Sequence, residues 1–390
     1  MSKNVTVGID IGTHTTRVMA VEYSNDNNKR TSRIIGTGQS ETKGMRHGYI
    51  VKQEEAARSL SEAIEKAEQS AGIRIRQATV AVGGVGLSSN VGYGSAIISK
   101  ADNEVTELDI QKALNDAEEK LNIPNKQIID VIHLEYKLDG KRIFGHPIGM
   151  KGVKLDITVL FITSLQQHLN DLIATVNTAG IDVTDVVASP LAGSLVTLTE
   201  KQRTAGCALL DIGAETVSLA VFENNNIISL HVFNIGSTDI TNDIALGLKI
   251  ALQEAEDIKQ GILIGDIPQG EVENIIEARL TDIFELVQKY LKKIKRHGLL
   301  PAGVIILGAG SQISIIEDLA RKILSIPATA IPAQGLKKGL NLKDPSWFVA
   351  YGLCVASRYS STGNTSYNPL RKGIKNIGNF FKSIIKQLMP

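Results

Sequence analysis

The chain has 390 residues, 43% of them hydrophobic and 21% charged, with a net charge of +1. That length predicts two or three domains with substantial cores, and that balance excludes wholesale disorder. The small net charge averages unlike regions: residues 369–390 hold Arg371, Lys372, Lys375, Lys382 and Lys386 and no acid, which leaves the remainder near −4.

The two cysteines, Cys207 and Cys354, lie in apolar segments without metal-site spacing, as expected of small buried thiols in a reduced cytosolic protein. The opening MSKNVTVGID lacks the apolar core of a signal peptide. No apolar run reaches the ~18–20 residues of a transmembrane helix. The expectation is a cytosolic chain whose membrane contact, if any, is peripheral.

In chain order, Val5 to Asp10 and Arg17 to Tyr23 read as a strand pair joined by the turn Asp10-Ile11-Gly12-Thr13, and a third strand runs from Arg33 to Gly38. Residues 52–71 carry apolar or alanine positions at helical spacing, with Gly72 as the stop. Gln77 to Val82 is a strand ending at the glycine cluster 83–86. From about 85 to 164 the rhythm changes to strand, helix (Asp109 to Leu121) and further strands, which predicts an inserted small α+β domain. A helix from Ser164 to Ala179 and a strand from Ile181 to Val187 follow.

A second start then appears. Cys207 to Asp211 and Val217 to Phe222 flank the turn Asp211-Ile212-Gly213-Ala214-Glu215-Thr216, about 200 residues after its counterpart. A repeat at that spacing predicts two like-folded halves. Helices are expected at 239–252, 253–261 and 271–297, and then a strand running into Gly308-Ala309-Gly310-Ser311.

A polyphosphate needs backbone N–H donors at close range, which glycine permits, and a carboxylate for the cation that neutralises it. Either Asp-x-Gly turn alone reads as an ordinary Asx turn, and a lone glycine turn after a strand reads as helix capping. Their combination in corresponding places is much more specific. The order phosphate hairpin, phosphate hairpin, glycine-rich loop resembles the actin, sugar kinase and DnaK-type ATPase superfamily. Within it, Gly44-Met45-Arg46-His47-Gly48, Ser189-Pro190-Leu191-Ala192, residues 240–245 leading to 254–259, and Ile276-Glu277-Ala278-Arg279 resemble the bacterial division actin family FtsA across essentially the whole chain.

The resemblance implies an α/β, actin-like two-domain ATPase fold with an inserted α+β domain and a C-terminal amphipathic helix. It places the first half at 1–84, with 165–200 and 346–359 returning to it, and the insert at 85–164. The second half takes 201–236 and 299–345, and a helical subdomain takes 237–298. It implies ATP and Mg²⁺ as ligands. Asp10 and Asp211 would face the magnesium ion, with Gly12, Thr13, Gly213 and Ala214 along the phosphates; Thr216 would also reach a phosphate, although an ordinary β-turn hydroxyl is the plainer reading of it. Gly308, Ala309, Gly310 and Ser311 would border the adenosine, and Glu256 and Lys259 would reach ribose and base. A solvated i, i+3 ion pair is an equal reading of the last two. Hydrolysis needs a group that orients the attacking water. No residue compels it, and Glu215 reads as a turn glutamate in solvent.

Beyond the linker 360–368, residues 369–390 form a helical pattern. Leu370, Ile374, Ile377, Phe381, Ile384 and Leu388 make one stripe with Phe380 and Ile385 at its flanks, and all five cations fall opposite. A helix docked on the protein's own body is the plain alternative. The missing acids, two phenylalanines and polar tether favour an anionic membrane surface.

The resemblance implies FtsZ as partner, its C-terminal tail meeting Arg279, although a salt bridge of Arg279 with Glu277 or Asp282 reads equally well. It also implies self-assembly into filaments, recruitment of other divisome proteins, and a place on the cytoplasmic face of the membrane at the division septum. No nucleic-acid partner is implied. The linker, under ten residues, is shorter than the family's usual one. A PilM-like pilus-assembly protein is the alternative reading, and a sugar kinase would need a catalytic base that the chain does not offer.

Overall fold

The computed structural model describes residues 4–26, 29–262, 269–331 and 344–361. β1 (Asn4–Ile11) and β2 (Thr15–Asp26) form an antiparallel hairpin, and β3 (Lys29–Glu41) pairs with β2. A two-residue ladder, β4 (Met45–Arg46) and β5 (Tyr49–Ile50), precedes α1 (Gln53–Ala71). The buried side of α1 carries Ala56, Leu60, Ala63, Ile64 and Ala67, the spacing of one helical face. The alanines among and beside them, Ala63, Ala67 and Ala71, let the helix lie directly on β3, where a Cβ at Gly36 or Gly38 would collide with its backbone. Gly72, left-handed at φ 67°, ends it. β6 (Gln77–Val82) runs parallel to β1.

The inserted unit comprises β7 (Ser88–Ile97), α2 (Glu107–Glu119), β8 (Lys126–Leu138), β9 (Lys141–Ile143) and β10 (Lys154–Leu165). It has its own core, with Ile110, Leu114, Val131, Leu155 and Phe161 buried between helix and sheet. α3 (Gln166–Thr178), β11 (Asp182–Ala188) and α4 (Ser189–Thr197) then return to the first half, β11 parallel to β6.

After α5 (Glu200–Ala205), the second half repeats the first: β12 (Cys207–Ile212), β13 (Val217–Glu223) and β14 (Asn226–Phe233) form an antiparallel run. α6 (Ser237–Leu248), α7 (Leu252–Lys259) and α8 (Gln269–Lys293) follow. β15 (Val304–Leu307), α9 (Ile316–Leu324) and β16 (Ala328–Ala330) add two parallel strands. α10 (Phe348–Ser361) closes the described chain on the first half, where Gly8 admits it against β1.

The strand orders are β11-β6-β1-β2-β3 and β16-β15-β12-β13-β14, so the two halves share one topology and the expected repeat is a repeat of fold. The second sheet continues into the inserted one through a single pairing, His231 opposite Ser88, and the Ser89 hydroxyl receives the Leu230 N–H at 2.7 Å.

Two expectations shift. β14 is a strand that the sequence pattern did not single out. The first helix of the 237–259 segment stops at Leu248, because Lys249 takes a left-handed conformation at φ 55°. No helix among the described residues is long and apolar enough to cross a membrane. The proposed membrane-facing residues (Leu370, Arg371, Lys372, Ile374, Lys375, Ile377, Phe380, Phe381, Lys382, Ile384, Ile385, Lys386 and Leu388) lie outside the described residues.

Candidate functional site

The two Asp-x-Gly turns are built alike. In the first, Asp10 lies opposite Arg17 and Ile11 opposite Thr16, and the Gly12 N–H closes the turn on the Thr15 carbonyl at 3.2 Å. In the second, Asp211 lies opposite Ser218 and Ile212 opposite Val217, and the Gly213 N–H donates to the Thr216 carbonyl at 2.9 Å. Each strand pair ends in apolar and β-branched residues, and each turn opens on a glycine whose missing Cβ keeps the approach to Thr15 or Thr216 clear. Thr13 and His14 form the first tip, Ala214 and Glu215 the second.

The glycine loop is wrapped onto the second hairpin. β15 runs beside β12 with Leu307 opposite Asp211, and the next residue, Gly308, has φ 88°. A Cβ on Gly308 would run into Asp211 Oδ1 and the Ile212 carbonyl, and one on Gly310 into the Ile212 side chain. The buried Ser311 hydroxyl donates to the Gly308 carbonyl at 2.7 Å, so it holds the loop's shape, while Ala309 is exposed beside it.

The start of α6 fastens to the same turn. Ser237 N–H donates to the Gly213 carbonyl at 2.9 Å and Thr238 N–H to the Ala214 carbonyl at 2.8 Å. Lys259 on α7 reaches back to this point, its Nζ donating to the Ser237 carbonyl (3.2 Å), Thr241 Oγ1 (2.8 Å) and Glu256 Oε2 (2.7 Å). Thr241 also donates to Glu256 at 2.5 Å. The Lys259 side chain is 10% exposed. Glu256 and Lys259 are therefore not the solvated surface pair that their spacing allowed. They tie α7 to α6, and through Ser237 to the second hairpin.

Electrostatically, the two hairpins bring two carboxyls and one guanidinium within range of one another. Burial pushes Asp10 up to about 6, moderated by Arg17. Burial and the charge of Asp10 push Asp211 to about 7, again moderated by Arg17. Two buried carboxyls, one of them raised further by the other, suit a divalent cation. Among the described residues no group of three or more His, Cys, Asp or Glu gathers as a metal cage. A cation here would draw its other oxygens from phosphate and water, as magnesium does.

Arg17 was not singled out from sequence. Its guanidinium lies 5.8 Å from the centre of the Trp347 ring, and its Nε is buried without a hydrogen-bond partner, a donor free for an anion. The signal was present in the pairing: in a hairpin with this turn, residue 17 lies across from Asp10.

Glu215 differs from the solvent-facing residue expected. Its side chain is 14% exposed, and Oε2 accepts the His47 N–H at 2.5 Å from the first half. Arg279 is likewise engaged, donating from Nε and one terminal nitrogen to the two oxygens of Asp243 at 2.6 and 3.0 Å, with Asp282 at 3.4 Å. That fork fastens α8 to α6, so Arg279 is not a free surface cation, and its main acid is Asp243 rather than Glu277 or Asp282.

A family model described as "Cell division protein FtsA" matches residues 208–352, and one described as "SHS2 domain inserted in FTSA" matches 86–163. The cell division protein FtsA of Bacillus subtilis is 29% identical over 372 residues, covering 89% of this chain and 82% of its own length. That of Pseudomonas aeruginosa is 29% identical over 380 residues, covering 91% and 89%. Among solved structures, the PilM–PilN type IV pilus biogenesis complex covers 90% of this chain and 98% of that one, with a TM-score of 0.67 at 17% identity. MreB5 of Spiroplasma citri bound to AMPPNP covers 94% and 99%, with a TM-score of 0.51 at 14% identity. At those identities the structures speak for an actin-like fold alone.

Proposed function

Because this chain belongs to the FtsA family of cell division proteins, we propose that it binds ATP with magnesium between its halves, assembles with its own copies, and tethers FtsZ to the cytoplasmic membrane. The observation that carries the nucleotide reading is the pair of like-built hairpins, each with an aspartate two residues before a turn glycine, and with both carboxyls raised by burial.

Asp10 and Asp211 would hold the magnesium ion and its waters. The ion would supply neutralisation of phosphate charge. Thr13 and the turn residues Gly12, Gly213, Ala214 and Thr216 would lie along the phosphates, the Gly12 and Gly213 amides themselves being used to close their turns, and Arg17 adds a planar donor. Gly308, Ala309, Gly310 and Ser311 suit the adenosine, since the loop is held tightly on the second hairpin and carries no large side chain. Glu256 and Lys259, already bonded to each other and to α6, would offer ribose and base only their remaining donors and acceptors. No described side chain compels hydrolysis, so the reading stops at binding.

The test is titration of a fluorescent ATP analogue with magnesium, with Asp10→Ala and Asp211→Ala beside the wild-type chain. We expect tight binding that either variant weakens at least tenfold. A wild-type chain that ignores ATP, or variants that bind as well, would sink the nucleotide reading. The membrane and FtsZ readings rest on the tail's composition and on family membership. Sedimentation with anionic liposomes, with and without residues 369–390 and with an FtsZ tail peptide added, tests both together. Equal sedimentation of the truncated chain removes the tether.

A further inference from the structure

We propose that Glu215 is a positioning residue that latches the two halves across the cleft, and that this latch sets how fast a bound nucleotide leaves. The second part rests on the nucleotide reading above; the first does not.

The contact joins residues 168 positions apart. Glu215 sits on the turn of the second hairpin, and its carboxylate accepts the His47 N–H at 2.5 Å, with Arg46 Nε 3.6 Å and His47 Nδ1 3.9 Å away. Both ends of this contact are stiff. On the first half, Gly44, His47 and Gly48 all have positive φ (77°, 50° and 79°), a fold that turns the His47 amide outward toward the second half. Gly48 lies so close to Gly84 that a Cβ would not fit between them, and the Gly44 carbonyl accepts two amides, from Val51 (2.8 Å) and Lys52 (3.0 Å). On the second half, the turn is bonded to the start of α6, and Gly236 packs against the Ala214 carbonyl. A left-handed conformation at a histidine is strained and persists only where its surroundings determine it. A charge-assisted bond to a carboxylate is one such determinant.

The charge has a second consequence. A bare carboxylate on a phosphate-binding turn would repel the phosphates. Arg46 and the His47 amide offset that charge. Glu215 and Arg46 therefore act as one unit: losing either partner leaves the other without its role, and losing both adds little to losing one.

Two measurements on the full chain test this. In the first, spin labels on Glu62→Cys of α1 and Lys322→Cys of α9, both exposed positions, report the distance between the halves without nucleotide; the native Cys207 and Cys354 are buried. We expect one narrow distribution that broadens toward longer distances in Glu215→Ala, and a partial effect in Glu215→Gln, which keeps an oxygen for His47 but loses the pairing with Arg46. An unchanged distribution in Glu215→Ala overturns the latch.

In the second, release of a fluorescent ATP analogue with magnesium is followed by stopped flow. We expect about tenfold faster release in Glu215→Ala and in Arg46→Ala, and in the double variant no more than in either single one. Wild-type release rates in Glu215→Ala, or fully additive effects in the double variant, overturn the coupling. A wild-type chain that binds no ATP sinks the nucleotide reading instead, and the distance measurement still judges the latch.

Discussion

Asp10 and Asp211 hold protons in the folded chain that the same residues release when unfolded. An unfolded aspartate titrates near pH 4, whereas burial holds Asp10 near 6 and Asp211 near 7. Between those limits the folded state binds more protons than the unfolded one, so stability falls as pH rises through roughly 4 to 7. His168, buried and lowered from its ordinary value by that burial, works in the opposite direction, since the unfolded chain takes up its proton first as pH falls. Asp211→Asn isolates the aspartate. Without nucleotide, the melting temperature of the variant relative to the wild type should rise from pH 5 to pH 7.5, and magnesium with ATP should reverse the advantage at the higher pH. A difference that does not change with pH would contradict the raised carboxyl. Gly308 makes a second prediction at this scale. An alanine there meets both a positive φ and the Asp211 carboxylate, so Gly308→Ala should cost about 1–3 kcal/mol in chemical denaturation and weaken ATP binding as well. Wild-type stability in that variant would mean the loop yields easily.

The elements around the cleft show which parts of it were legible in the sequence. The turns at Gly12 and Gly213 and the loop at Gly308 were readable because turn chemistry is local: a strand, an acid and a glycine announce themselves within a few residues. Arg17 was not, since its place comes from cross-strand pairing with Asp10. The Glu215–His47 bond was out of reach because nothing local relates residues in different halves. β14 was overlooked because its Asn226-Ile227-Ile228-Ser229 start mixes polar and apolar residues without clean alternation. The end of α6 was overlooked because lysine is not a stop residue, although Lys249 adopts a glycine-like φ here. The same elements explain why the pair Glu256 and Lys259 could be read two ways. Spacing on α7 shows that they are neighbours, but only packing shows that they face α6. Lys259→Met keeps most of the side chain's apolar stem and removes three donated bonds, which should loosen α7 by about 1–3 kcal/mol. Hydrogen exchange should quicken in α7 and at the start of α6 and stay unchanged in the inserted unit. Uniform exchange across the chain would show that α7 is held by other means.

At the scale of the whole molecule, the sequence of the tail limits what one copy can do. Eight large apolar side chains, each worth ~1.5–3 kcal/mol when fully buried, are only partly covered at a membrane surface. Five cations add about 1 kcal/mol each on an anionic leaflet. Ordering some twenty residues costs ~1–2 kcal/mol apiece in the backbone, a sum of the same size. A single tail is therefore expected to bind reversibly, and tails carried on one assembly reinforce each other because each bound tail raises the local concentration of the next. On the proposed reading, a nucleotide held between the two halves controls that assembly. Liposome binding by the full chain should then rise more steeply than in proportion to protein concentration, and raising salt should weaken it on anionic vesicles. Fusing residues 369–390 to an unrelated monomeric protein should give the weak, proportional binding of one tail. Equal affinity of the fused tail and the full chain at every concentration would show that the tail needs no company, and the argument from avidity would fail.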